Sequence, residues 1–303
     1  PPVKTNKGWL FFYSYICNYF SPPATFGVQA LLLDFNDPQK ITGEVKRPFF
    51  FPDEEYERYG RGQNIVFPSG VLIKGKKTEM YYGGADTVSC AAEFKTDELI
   101  NELVSVHASQ LQRFDGNPII KPMSAHKWES KAAFNPTAIY ENGKIHILYR
   151  AMSDDNTSVF GYAASADGLR FNERLSEPVY VPRADFEKKL SPGVNSGCED
   201  PRITKFGDCF YVCYTAYDGK NPPRVALTSI KAEDFVNRKW NWSLPVLISP
   251  PGTDDKDAAL FPKKIKGKYV FLHRLSVDVW IDYVDDLEFV GGRFLGGKIL
   301  MTP

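Results

Sequence analysis

Apolar and polar positions along this chain fall into short runs of aromatic and β-branched residues, each entered through a polar turn that carries glycine. Five stretches share the pattern: "NKGWLFFYSY", "IKGKKTEMYYGGAD", "ENGKIHILYRA", "KFGDCFYVCYTAY" and "IKGKYVFLHR". Their glycines, Gly8, Gly75, Gly143, Gly207 and Gly267, are spaced 67, 68, 64 and 60 residues apart. Each stretch reads as the middle of a β-hairpin. A further strand with a polar exit follows several of them, as in "SVFGYAASADGLRF" and "PRVALTSIKAEDF". Helical spacing is confined to "KTDELINELVSVHASQLQRF", Lys95 to Phe114.

Five repeats of three or four strands each predict an all-β fold, a five-bladed β-propeller formed as a single domain over residues 1–303. A β-sandwich would explain the strands but not the period. From Gly267 through Pro303 and back to Gly8 is only 44 positions. The seam is therefore roughly 15 to 25 residues shorter than the other repeats, which implies shortened termini or a blade lacking a strand.

Composition narrows the function. With 43% apolar residues in 303, the chain can bury a full-sized core. Lys plus Arg and Asp plus Glu are 37 each, so no global field favours nucleic acid or an anionic membrane, and neither is expected as a partner. The longest apolar stretch, "WLFFYSYICNYF", is too short to cross a bilayer as a helix. No basic-then-apolar leader precedes it, although the chain opens on "PPVKT" without Met. Cys17, Cys90, Cys198, Cys209 and Cys213 lack C-x-x-C spacing, which argues against a disulfide framework and a zinc site and suits a reducing cytoplasm. No metal is expected.

In a propeller the innermost strands converge on a central channel, so polar residues of distant repeats can meet there. The candidates are Asn135 in "FNPTA", Arg150 in "LYRA", Glu199, Asp200 and Arg202 in "CEDPRI", and Arg224 in "PRVAL". To these are added Lys256 and Asp257 in "DDKDAALFP", His273 and Arg274 in "LHR", and Asp86 in "YYGGADT". The first repeat makes no clear contribution.

At these motifs the chain resembles glycoside hydrolase family 130, the β-mannoside phosphorylases and related mannosidases. The likeness is carried by "FNPTAIYENGKIHILYRA", "GCEDPRITKFGDCFYVCYTAYDG", "PRVALTS", "DKDAALFPKKIKGKYVFLHR" and "NIVFPSGVLIKGKKTEMYYGGADT". The blade order looks circularly permuted: the Asn-Pro blade usually comes first and the Gly-Gly-Ala-Asp blade last, whereas here the last two blades lead. The resemblance implies that Asp200 is the general acid, passing its proton to the glycosidic oxygen through a hydroxyl of the bound mannose. It places Asn135, Arg150, Asp86, Asp257 and Glu199 around the sugar, and Arg224, Lys256, His273 and Arg274 around phosphate. It implies a β-mannoside oligosaccharide and inorganic phosphate as the ligands, with phosphate as co-substrate and no cofactor. A homo-oligomer is compatible with it. A cluster of cations with a bidentate-capable Arg suits a phosphate oxyanion.

Plainer roles exist for most of these residues. Arg150 and Arg274 are candidate ion-pair partners of Glu199 or Asp255; His273 is a candidate satisfied core histidine; Lys256 sits in what reads as a solvated turn. Asp86 would serve simply to end a strand, and Arg202 is read as structural, holding the Pro turn. Inverting phosphorolysis needs one protein carboxylate because phosphate arrives anionic, whereas inverting hydrolysis needs a second one about 6.5–9.5 Å away. Cations on the attacking face favour the phosphorylase over the β-mannosidase and over an inactive carbohydrate-binding propeller. Ser14 in "YSYI" stands where relatives have His in "YHGV", and the linkage and acceptor stay open.

Overall fold

Each of the five repeat glycines sits in the turn between the first and second strands of a four-stranded antiparallel unit. Gly75, Gly143, Gly207 and Gly267 hold φ between 59° and 78°, the left-handed region a tight turn demands and glycine enters without steric cost. The computed structural model describes residues 1–18, 23–45, 47–104 and 112–302. The first unit is β1 (Val3–Lys4), β2 (Trp9–Cys17), β3 (Thr25–Leu33) and β4 (Ile41–Glu44); the second is β5 (Val66–Lys74), β6 (Lys77–Gly84), β7 (Val88–Lys95) and β8 (Gln112–Arg113). The third is β9 (Ala132–Glu141), β10 (Lys144–Met152), β11 (Thr157–Ser165) and β12 (Glu173–Arg174). The fourth is β13 (Ser196–Phe206), β14 (Cys209–Tyr217), β15 (Arg224–Lys231) and β16 (Val246–Leu247), and the fifth β17 (Asp255–Leu260), β18 (Tyr269–Leu275), β19 (Asp278–Val284) and β20 (Lys298–Met301). The third and fourth units join into one sheet through a short parallel pairing, Thr157 with Ser196 and Ser158 with Gly197.

The apolar faces are buried between units rather than within them. Separate clusters link the first unit to the second, the second to the third, the third to the fourth, and the fourth to the fifth. Another packs Trp9, Leu31 and Leu33 of the first unit on Phe261, Val270, Leu272 and Ile281 of the fifth. Polar contacts tie the first strands together. Arg202 Nη1 donates to Pro68 O on β5 at 3.0 Å, Ile203 N to Thr137 Oγ1 on β9 at 3.1 Å, and Thr204 Oγ1 to Leu260 O on β17 at 2.9 Å.

A second repeated device braces four of the units. The first strand carries a register irregularity, and opposite it the second strand presents Tyr82, Tyr149, Tyr214 or His273. Each of these side chains meets a fully buried carboxylate from the preceding loop or strand start: Glu57, Glu129, Glu187 and Asp255 respectively. Arg113 on β8 pairs with Glu57 through Nε and Nη2, both at 3.0 Å, and Arg174 on β12 pairs with Glu129. A buried carboxylate with this many donors is a satisfied brace rather than a reactive group.

Helix α2 (Thr96–Val104) realises the start of the predicted helix, burying Leu99, Ile100 and Leu103. Residues 105–111 lie outside the described residues. The predicted end is corrected, because Gln112 and Arg113 pair with Glu93 and Ala92 as a strand, which delivers the Arg113 side chain to Glu57. The short helices α1 (Glu55–Arg58) and α3 (Ala232–Val236) carry too few turns to show periodicity in the sequence. No described helix is long and apolar enough to cross a membrane. All five cysteines are unbridged, and among the described residues no group of three or more His, Cys, Asp or Glu side chains is arranged to hold a metal.

Candidate active site

The irregularities on the first strands set the chemistry. Asn135, Asp200 and Asp257 occupy the same place on β9, β13 and β17 and have φ of 49°, 52° and 55°. Asn and Asp are the side-chain-bearing residues that enter this region most readily, and a bulge there re-aims a side chain out of the strand's alternation. Asn135 Nδ2 donates to Asp200 Oδ1 at 2.9 Å. Its own Oδ1 is buried without a hydrogen-bond partner among the described residues. That oxygen lies 2.0 Å from where a Cβ on Gly83 would stand, so the first glycine of "YYGGAD" exists to make room for Asn135.

Arg150 holds the carboxylate pair. Its Nη1 reaches Asp200 Oδ1 at 3.3 Å, its Nη2 reaches Glu199 Oε1 at 2.5 Å, and its Nε donates to Ser158 Oγ at 3.0 Å. The guanidinium also lies over the Phe134 ring. Burial, reinforced by the charge of Asp200, pushes the Glu199 carboxyl above the usual range, with Arg150 opposing. Asp86, in the turn after β6, is raised by burial and by the same Asp200 charge, against Arg150 and Arg61. Asp86, Arg150, Glu199, Asp200 and Asn135 thus form one electrostatic cluster. The ion pair weighed for Arg150 is present, and it extends to Asp200.

Arg202 links this cluster to a cavity of about 900 Å³. The cavity is lined by Phe11, Tyr13, Tyr15 and Phe67 together with Arg202, Lys256, Asp257, His273 and Arg274. Arg274 Nε donates to Asp257 Oδ2 at 2.8 Å, and Arg202 Nη2 stands 3.9 Å from Asp257 Oδ1. Burial disfavours the Asp257 charge, but Arg274 and Arg202 outweigh it and hold its pKa below the usual range. Arg274 therefore pairs with Asp257 rather than Asp255. Among the described residues Lys256 has one loose ion-pair partner, Asp254 at 3.7 Å, and it remains available on the cavity wall. Ser14 also lines the cavity, its Oγ buried without a hydrogen-bond partner among the described residues.

The four cations expected around phosphate are not brought to one wall. His273 is fully buried, with Nδ1 3.0 Å from both Asp255 oxygens and Nε2 3.0 Å from Gly296 O. Acceptors on both sides require both ring nitrogens to donate, so neither is left for an anion. His273 is the fifth unit's counterpart of the braced tyrosines, as the core reading had it. Arg224, at the start of β15, donates to Ser249 O and lines a second cavity of about 220 Å³ with Asp218 and Asn221, apart from the large one. Of the predicted cations lining the large cavity, His273 is committed through both nitrogens, which leaves Lys256 and Arg274 to face an anion there.

Sequence reasoning missed Arg61, whose charge acts on Asp86. It also treated Arg202 as a local anchor for its turn, whereas the side chain spans from Pro68 to Asp257. The first repeat's contribution, obscure in the sequence, is Tyr13, whose hydroxyl donates to Gln29 Oε1 at the cavity.

Adjacent carboxylates held on one arginine beside a cation-bearing cavity suit proton donation to a glycosidic oxygen, the working chemistry of carbohydrate-active enzymes. The chain belongs to glycoside hydrolase family 130: the family model, described as beta-1,4-mannooligosaccharide phosphorylase, matches residues 1–105 and 110–294. Two proteins of Thermoanaerobacter sp. (strain X514) are similar to it. A 1,2-beta-oligomannan phosphorylase is 36% identical over 186 residues, covering 59% of this chain and 58% of the relative. A beta-1,2-mannobiose phosphorylase is 37% identical over 185 residues, covering 57% of each. The chain thus spans somewhat more than half the length of these relatives. A beta-1,4-mannooligosaccharide phosphorylase of Ruminococcus albus is 31% identical over 113 residues, 36% of this chain and 32% of the relative. Among solved structures, a glycoside hydrolase superposes over 98% of this chain and 90% of its own with TM-score 0.65 at 14% identity, a likeness of fold alone.

Proposed function

We propose that the chain is a single five-bladed β-propeller that catalyses inverting phosphorolysis of β-mannosides. The blade reading is supported by the five four-stranded units and by the apolar cluster that packs the fifth unit on the first. The break between the two family matches, at 105 and 110, falls inside the second unit, ahead of its last strand β8.

The observation that carries the function is the Asn135, Asp200 and Arg150 contact beside a wall bearing Lys256 and Arg274. Asp200 gives its proton to the departing glycosidic oxygen by way of a mannose hydroxyl. The bond from that oxygen to the anomeric carbon breaks as a phosphate oxygen bonds to the opposite face, giving mannose 1-phosphate and a shortened acceptor. Asn135, Arg150, Asp86, Asp257 and Glu199 surround the sugar, and Lys256 and Arg274 receive phosphate, the co-substrate. The β-1,2 linkage is the first candidate, because the two relatives matched over the longest stretches carry it in their names.

Asp86 favours a second, hydrolytic reading, since it is a further half-buried carboxylate close enough to Asp200 to feel its charge. The test is a set of initial rates on β-1,2- and β-1,4-mannobiose across phosphate concentrations. Saturable dependence on phosphate, with β-1,2-mannobiose preferred, supports the phosphorylase. A rate that ignores phosphate supports Asp86-assisted hydrolysis.

A further inference from the structure

The loop ahead of β5 reads Gly60-Arg61-Gly62, and the first glycine is forced. A Cβ on Gly60 would stand 2.4 Å from Thr87 Oγ1 and 2.5 Å from Ala85 O. One on Gly62 would stand 2.3 Å from Ile65 Cδ1 and 3.3 Å from Asp86 Oδ2. The loop is therefore pressed onto the turn that carries Asp86, and it is fastened there by Arg61 N to Thr87 Oγ1 at 2.9 Å and Gly62 N to Ala85 O at 3.0 Å. Neither glycine has a positive φ. Close approach of the Ala85 carbonyl is what demands Gly60.

An exposed arginine is ordinarily a solvated charge. Arg61 differs because the loop's only side chain at this apex is steered over the site. Its Nη1 contacts Met152 Sδ at 2.7 Å, on β10 two residues beyond Arg150 and hence on the same face of that strand. The guanidinium so bridges from the Asp86 turn of the second unit to the third unit. A thioether is a weak acceptor, and no carboxylate pairs with Arg61 among the described residues, although Asp86 and Glu199 are close enough to act on its charge. Most of its five donors are uncommitted.

We propose that Arg61 is a sugar-contacting residue, donating to hydroxyls of the reacting mannosyl unit while Asp86 accepts from their neighbours. An Arg fork beside a carboxylate is complementary to vicinal hydroxyls, each of which both accepts and donates. The inference rests on the β-mannoside reading above and adds a ligand contact from a loop that no motif marks.

The experiment is calorimetric titration of the full chain with β-1,2-mannobiose in the absence of phosphate, for the unmutated protein, Arg61→Gln, Arg61→Lys and the control Arg58→Gln. Arg58 lies on α1 with its side chain in an exposed pair with Asp53. Arg61→Gln is expected to weaken binding by about 10- to 100-fold, the worth of hydrogen bonds from a charged donor. Arg61→Lys is expected to fall between, and Arg58→Gln to bind normally. Unfolding midpoints should stay together, and in turnover Arg61→Gln should raise the mannoside KM and leave the phosphate KM alone. Normal binding by Arg61→Gln overturns the inference, as does a loss confined to the phosphate KM. Absence of mannoside binding by the unmutated protein overturns the functional reading as well, so the two failures are distinguishable.

Discussion

Asn135 and Asp200 stand at the same bulge position of neighbouring units, 65 residues apart in the chain, and bond to each other at 2.9 Å. The amide can donate to a carboxylate but cannot itself ionise, so one partner orients and the other carries the proton. Asp200→Asn keeps the shape and removes the transferable proton. Phosphorolysis should fall by about 10²–10⁴, with mannoside binding changed far less. Glu199→Gln should cost less in kcat, because Glu199 meets Arg150 from the strand beside the bulge. Steady-state rates for the two variants decide it; the opposite ranking would move the acid to Glu199.

The buried braces carry stability rather than turnover. Arg113→Met leaves Glu57 fully buried with its cation gone, a loss of about 3–5 kcal/mol for a broken buried pair. Denaturant unfolding should show that drop, with kcat little altered in the fraction that remains folded.

His273 supplies a pH signature. Burial opposes charge on its ring, but the hydrogen bond and charge of Asp255 prevail and hold its pKa above the ordinary 6.5. A raised histidine contributes stability that is complete below the unfolded-state pKa of about 6.5 and is lost as pH rises through the higher folded value. Unfolding free energy should therefore decline with pH above about 6.5. His273→Gln should be less stable throughout and should lack that decline, while its phosphate KM stays normal.

The two cavities make separate claims on the phosphate site. Lys256→Met removes a cation from the wall of the large cavity, and the phosphate KM should rise by about 10- to 100-fold. Arg224→Gln alters the smaller cavity, and its phosphate KM should move by less than about twofold. Initial rates over a phosphate series for both variants provide the comparison.

Much of this organisation was legible because it rests on local steric rules. Glycines at positive φ marked four of the five unit turns, and Asn or Asp before Pro marked two of the four first-strand bulges. The remaining features depend on contacts between distant residues. Nothing in "LHR" tells that His273 faces Asp255 across 18 residues, or that Arg274, next to it, faces Asp257 instead. In "DDKD" the acids look alike, and only the bulge turns Asp257 toward the cavity while Asp255 goes to the core. Arg224 matched a motif, yet the start of β15 carries it to another pocket. Arg61 escaped notice because the glycine before it, Gly60, is required by the Asp86 turn, a neighbour that appears only on folding.

The most direct measurement follows phosphorus resonances during incubation of the unmutated protein with β-1,2-mannobiose and inorganic phosphate, alongside a phosphate-free control. If Asp200 protonates the leaving oxygen while phosphate bound near Lys256 and Arg274 attacks, mannose 1-phosphate of inverted configuration should accumulate in step with released mannose. The control should then stay inert. Equal release of free mannose in both tubes, with no new phosphorus signal, would contradict the phosphorylase account.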